Sequence, residues 1–86
     1  MEMLTGTYKA DNGKDYYNIA LNLLTGEYIL IKNASCTAIA EDMALEYFGK
    51  SGSIYGSNDI KIFFHDTESE LNLKYIPKKY HKYFKD

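Results

Sequence analysis

The sequence predicts an α+β domain: an antiparallel sheet of about five strands in the order βββ-α-ββ, one main helix packed on one face, and a short helix at the C-terminus. Three observations lead there. Apolar residues alternate with period two along residues 16–23, 60–65 and 71–76, as on strands. Between Cys36 and Phe48 the period becomes helical, with Cys36, Ile39, Ala40, Met43 and Tyr47 on one stripe. Turn-forming pairs, Asn12-Gly13 and Thr25-Gly26, punctuate the first third of the chain.

A first strand is expected over residues 4–10, returning through Asn12-Gly13, because both residues of that pair tolerate the positive φ of a tight hairpin. The next strand sets Tyr17, Ile19, Leu21 and Leu23 on one face and Tyr16, Asn18, Ala20 and Asn22 on the other, which reads as half-buried. After the turn at Thr25-Gly26, residues 27–32 are apolar on both faces and belong at the centre of a covered sheet. These three strands make a meander. The helix follows, with Ser35 or Thr37 as its cap and Gly49 just past its end. A Gly- and Ser-rich loop carrying Ile54 and Tyr55 leads to a second hairpin, residues 60–65 and 71–76, joined through Asp66-Thr67-Glu68-Ser69. Pro77 ends the last strand or opens a helix in which Tyr80, Tyr83 and Phe84 share a face.

Eighty-six residues with no repeat, linker or low-complexity stretch imply a single domain, residues 1–86. A hydrophobic share of 45% with 26% charged residues excludes wholesale disorder. The N-terminus shows no basic or apolar leader pattern, and the longest apolar run, Tyr28-Ile29-Leu30-Ile31, is far short of a membrane span. Cys36 is the only cysteine, so neither an internal disulfide nor a cysteine-based zinc site can form. The expectation is a cytoplasmic protein with no membrane partner and no cofactor. Against that background the sequon Asn33-Ala34-Ser35 carries no weight. Arg, Val, Gln and Trp are absent while Lys, Asn, Ile, Tyr and Phe abound, a bias of low-GC genomes and of the phages and mobile elements within them.

Candidate chemistry is sparse. Gly49-Lys50-Ser51 resembles the end of a phosphate-binding loop, but it follows a helix where that motif must precede one. Cys36 near a helix start suggests an activated thiol, with His65 and Asp66 to complete a triad; its place on the apolar stripe argues instead for a buried, structural cysteine. Asp66, Glu68 and Glu70 crowd one turn beside His65 but lack the glycine and the ligand density of a calcium loop. No metal site or catalytic residue is expected.

Two features point to macromolecular binding. Residues 74–86 hold five lysines and one aspartate, whereas the preceding 73 hold five lysines and eleven carboxylates. Lysines interleaved with aromatics suit single-stranded nucleic acid, with Lys78, Lys79 and Lys82 as phosphate contacts. The acidic body opposes a polyanion, and without arginine no bidentate contact is available. The second feature is nine tyrosines, more than a core this small can bury, and tyrosine favours interfaces. The expected function is therefore a non-enzymatic protein-binding module: a phage- or mobile-element-encoded stoichiometric inhibitor of a host defence protein, such as an anti-CRISPR. Tyr16, Glu41, Asp42, Glu46, Tyr55, Tyr80 and Tyr83 are its expected contacts, and a homodimer is expected through an open strand edge. The alternative is a nucleic-acid-associated accessory protein.

Overall fold

The computed structural model describes residues 2–8, 13, 15–64 and 73–84. Strands β1 (Met3–Thr5), β2 (Tyr17–Asn22), β3 (Tyr28–Lys32) and β4 (Ile60–Phe64) form one mixed sheet in the order β1-β3-β2-β4, and helix α1 (Thr37–Lys50) packs on it. No helix among the described residues is long and apolar enough to cross a membrane.

The class is the expected one, but the sheet departs from the predicted antiparallel meander at its first strand. β1 runs parallel to β3, with Met3 opposite Leu30, and β2 lies on the other side of β3. The apolar pair of faces on β3 makes it a better neighbour for Leu4 than β2 would be, because β2 already has β4 along its second edge. The backbone follows β3 past the end of the strand: Gly6 N–H donates to Lys32 O at 2.7 Å and Tyr8 N–H to Asn33 O at 3.1 Å. This approach requires glycine, since a Cβ at Gly6 would lie 2.5 Å from Asn33 O. The Asn12-Gly13 pair therefore does not join neighbouring strands. Gly13 has the positive φ expected of it, 74°, and the rest of that turn lies outside the described residues.

The second hairpin is the other correction. Leu73–Tyr75, predicted as part of a fifth strand, is a turn of 3₁₀ helix, and a longer 3₁₀ helix, Lys78–Phe84, follows Pro77. His81 explains why this stretch folds on itself. Its Nε2 lies 2.7 Å from Ile76 O and 3.1 Å from Leu73 O, so an N–H there ties both carbonyls to the terminal helix and takes them from any ladder with β4. The acidic turn of Asp66, Glu68 and Glu70, with His65, lies outside the described residues.

Both faces of the sheet are consequently covered. On one, Ala20, Ile29, Ile31 and Ile60 meet Ala40, Ala44 and Phe48 of α1. On the other, Tyr17, Ile19, Leu21, Leu30 and Phe63 meet Ile76 and Phe84, with Tyr80 and Tyr83 at the margin. β2, predicted to be half-buried, is buried at every residue from Tyr17 to Asn22. The period of two was present, but the face read as open, that of Asn18, Ala20 and Asn22, lies under α1, while the apolar face of Ile19 and Leu21 is covered by the C-terminal 3₁₀ helix, whose aromatics the sequence shows but whose destination it does not.

α1 also sits differently from its predicted stripe. Ala40, Ala44 and Phe48 are its buried residues, while Ile39 and Cys36 are exposed. Two alanines one turn apart let the helix axis come close to the sheet, and that proximity outweighs the larger apolar side chains of the stripe. The helix ends two residues later than expected: Ser51 is its C-cap, donating from Oγ to Phe48 O at 2.9 Å, and Gly52 at φ 70° takes the left-handed position predicted for Gly49.

The turn at Thr25-Gly26 forms as predicted, and Asn22 builds it. The Asn22 carboxamide, fully buried, accepts from Leu24 N–H at 2.9 Å and Thr25 N–H at 3.2 Å and donates to Ser53 Oγ at 3.0 Å. One side chain thus serves as the template of the β2–β3 turn and as its tie to the loop after α1.

Candidate functional site

The seven side chains predicted to meet a partner do not form one patch. Glu41 is half-buried in a groove between α1 and β4; Asp42 and Glu46 are exposed, and Glu46 pairs with Lys50 at 3.6 Å, one turn on. Tyr55 is 96% exposed. It is held out by Asp59, whose Oδ2 accepts from Tyr55 N–H at 2.7 Å and Gly56 N–H at 3.1 Å. Tyr80 and Tyr83 lie across the sheet from α1, half-buried. Tyr80 packs edge-on against Phe63 at 5.2 Å between centroids. Lys78, Lys79 and Lys82 are exposed, and the ammonium groups of Lys79 and Lys82 sit over the Tyr80 and Tyr83 rings at 5.1 and 5.3 Å. Those rings are already engaged with protein, which leaves their faces poorly placed to stack on bases.

Tyr16 belongs to a group that the sequence did not bring together. Its ring lies 6.0 Å from that of Tyr8 and 6.3 Å from that of Phe64. Tyr8 arrives there by following β3 through Gly6. Phe64 arrives as the last residue of β4, in register with Asn18. Tyr16 is held by its own N–H, which donates to Asn33 Oδ1 at 3.1 Å, while Asn33 Nδ2 donates to Asp15 and Asp15 pairs with Lys32 at 3.3 Å. Asn33 makes this corner at a left-handed φ of 61°, a conformation asparagine tolerates better than most residues.

Between these rings and the start of α1 is a cavity of about 280 Å³, lined also by Asn18, Ser35, Cys36 and Thr37. Cys36 is exposed, contrary to the buried structural role predicted for it, because it occupies the N-cap position rather than the first turn of the stripe. No side chain caps the helix with a hydrogen bond. The sulfur instead takes the benefit of the helix start: the Ile39 N–H is the main influence drawing the thiol below its ordinary pKa, with smaller help from the Ala38 N–H and the Ser35 hydroxyl, against partial desolvation and the Asp42 carboxylate.

Asn18, 2% exposed, completes the cavity wall, and its Oδ1 is buried without a hydrogen-bond partner. Asn22, four residues along the same face, satisfies both ends of its amide. An unpaired buried carbonyl is uncommon in folded proteins. Sequence reasoning placed Asn18 on a solvent face, where an unpaired amide would need no explanation.

Among the described residues there is no group of three or more His, Cys, Asp or Glu side chains placed to hold a metal ion. The chain matches no protein-family model, and neither curated proteins nor solved structures show a significant match to it.

The outer edge of β4 is the other distinctive surface. Among the described residues β4 pairs with β2 alone. Leu23 N–H donates to Asp59 O at 2.8 Å, and Ile60 N–H turns away from β2 to Ser57 O. The alternation of an antiparallel ladder then points the backbone groups of Lys61 and Phe63 at β2 and those of Ile62 and Phe64 outward. Tyr55 precedes this strand, and Phe64, 49% exposed, ends it.

Proposed function

We propose that this chain is a non-enzymatic protein-binding module that takes an extended segment of its partner onto the outer edge of β4. The edge, unpaired among the described residues, carries the reading: Ile62 and Phe64 offer backbone donors and acceptors along a strand with an exposed aromatic before it and another at its end. An added strand gains main-chain hydrogen bonds there, while the groove of about 410 Å³ between β4 and α1, with Glu41 and Lys61 on its walls, receives side chains. Small size and low-GC composition fit a phage or mobile element, and stoichiometric occlusion of a host defence protein, as by an anti-CRISPR, is the mode of action that needs no catalytic group. In the absence of a partner the same edge serves a second copy, giving a homodimer.

The test is capture of a partner from host lysate by the tagged chain, followed by titration of the purified pair. Phe64→Pro removes one outward N–H without touching the β2 ladder, and it should weaken the complex at least tenfold, about 1.4 kcal/mol, beyond what Phe64→Ala does. Equal loss in the two variants would leave only the ring as a contact and would sink strand addition. Light scattering on the isolated chain should show a concentration-dependent dimer that Phe64→Pro abolishes.

The tail gives a separate check. Exchanging Lys78, Lys79 and Lys82 together for Glu should change partner affinity by less than about threefold, since these side chains lie on solvent beyond the second core. Sub-micromolar binding of single-stranded DNA or RNA that falls steeply with salt and disappears in the triple variant would favour nucleic acid instead.

A further inference from the structure

We infer that the segment taken onto β4 is an antiparallel strand with a lysine or arginine opposite Ile62, followed directly by an aspartate or glutamate opposite Lys61. This specificity rests on strand addition at β4, as proposed above. Antiparallel pairing is the more stable per residue, and it makes the partner residue opposite Ile62 precede the one opposite Lys61.

The two faces of an added strand meet opposite charges. Ile62 pairs with Ala20 in the ladder, and Ala20 belongs to the core under α1, so the partner residue opposite Ile62 also points to the α1 side. There it enters the groove of about 410 Å³ lined by Thr37, Ala38, Glu41 and Ile62. Glu41 is the charged residue that α1 places on that groove, and it is half-buried. Thr37 and Ala38 are short, so the methylene stem of a lysine or arginine lies along them with its cation at the Glu41 carboxylate. Lys61 pairs instead with Leu21 of the second core, so it projects from the opposite face, where it is exposed. Among the described residues neither Glu41 nor Lys61 has an ion-pair partner, and the sheet between them keeps them from neutralising each other. Successive residues of a strand point to opposite faces, so a basic residue followed by an acidic one is the complement of this edge. Phe64 shares the face of Ile62 and is 49% exposed, which favours an apolar residue two places before the basic one.

The probe is a displayed library of random peptides, about ten residues long, selected on the whole protein. The same selection is run on Glu41→Lys, on Lys61→Glu and on Phe64→Pro. The native protein should enrich a basic-acidic pair two places after an apolar residue. Glu41→Lys should turn the basic position acidic, and Lys61→Glu should turn the acidic position basic, each without moving the other. An enriched peptide is then synthesised beside a twin in which the two charged residues trade places, so that composition and net charge are identical. In a fluorescence-anisotropy titration the native protein should prefer the first by at least about fivefold, since opposite charges across strands attract and like charges repel by similar amounts. Glu41→Lys combined with Lys61→Glu should reverse that preference. A variant that reverses a preference is folded, so damage to the fold cannot imitate this result. Equal affinity for the twins, or peptides lost on Phe64→Pro whose charges follow neither swap, would overturn the specificity and leave strand addition standing. Peptides indifferent to Phe64→Pro, or no enrichment at all, would overturn strand addition and the specificity with it.

Discussion

Replacing Phe84 with alanine should lower the free energy of unfolding by about 3 kcal/mol, near the lower end of the range for buried aromatic deletions. Phe84 is 8% exposed, and its ring sits 4.7 Å from the Tyr28 ring and 6.3 Å from that of Phe63. It closes the second core over Tyr17, Ile19, Leu21 and Leu30, with Ile76 beside it and Tyr80 and Tyr83 at the margin. A chain of this length has roughly 4–13 kcal/mol of stability in all, so the loss is a large fraction. Urea unfolding followed by far-ultraviolet circular dichroism measures it. A change within about 0.5 kcal/mol, the usual effect of a surface substitution, would mean that the terminal 3₁₀ helix is not docked.

The second large effect comes from a pair of like residues. Asn22→Leu should destabilise the protein by about 2–4 kcal/mol, because it removes the acceptor of the Leu24 and Thr25 N–H groups and the donor to Ser53. Asn18→Leu, on the same strand and the same face, should be neutral or stabilising by up to about 1 kcal/mol, because there an unpaired buried carbonyl gives way to an apolar group of similar size. Thermal unfolding of both variants gives the comparison. Destabilisation of equal size at the two positions would show that Asn18 is held by its surroundings as firmly as Asn22, and the contrast drawn between them would fall.

These two asparagines also mark how far the sequence could be read. Alternation placed 18, 20 and 22 on one face of a strand, correctly, and the helical period between Cys36 and Phe48 located the element that covers them. What alternation cannot express is whether a second layer exists. Asn is equally suited to a solvated face and to a buried one with partners, so β2 read as half-exposed. The exposure of Cys36 was missed for a related reason. A stripe assigns a residue to a face only inside the helix, and Cys36 is the residue before it, where the chain is still extended. The cavity depends on Tyr8, Asn18, Cys36 and Phe64, which come from four separate stretches of chain, and no local spacing announces that meeting. An open strand edge was expected from the single proline, which falls beyond the sheet, but not at β4, which the sequence paired with residues 71–76.

The parallel placement of β1 has a consequence for synthesis. Met3 pairs with Leu30, so during synthesis β1 has no partner until some 27 further residues have been added. At roughly 5–20 residues per second that is a wait of about one to five seconds. The β2–β3 hairpin, joined by a tight turn around Asn22, needs only local closure and forms in microseconds once it emerges. These elements therefore assemble from the middle outward: the hairpin comes first, β1 is recruited back to its far edge, and the second core waits for Phe84, some 54 residues beyond Leu30. Until then the face of Ile19, Leu21 and Leu30 is open to whatever chaperone or neighbouring chain is at hand.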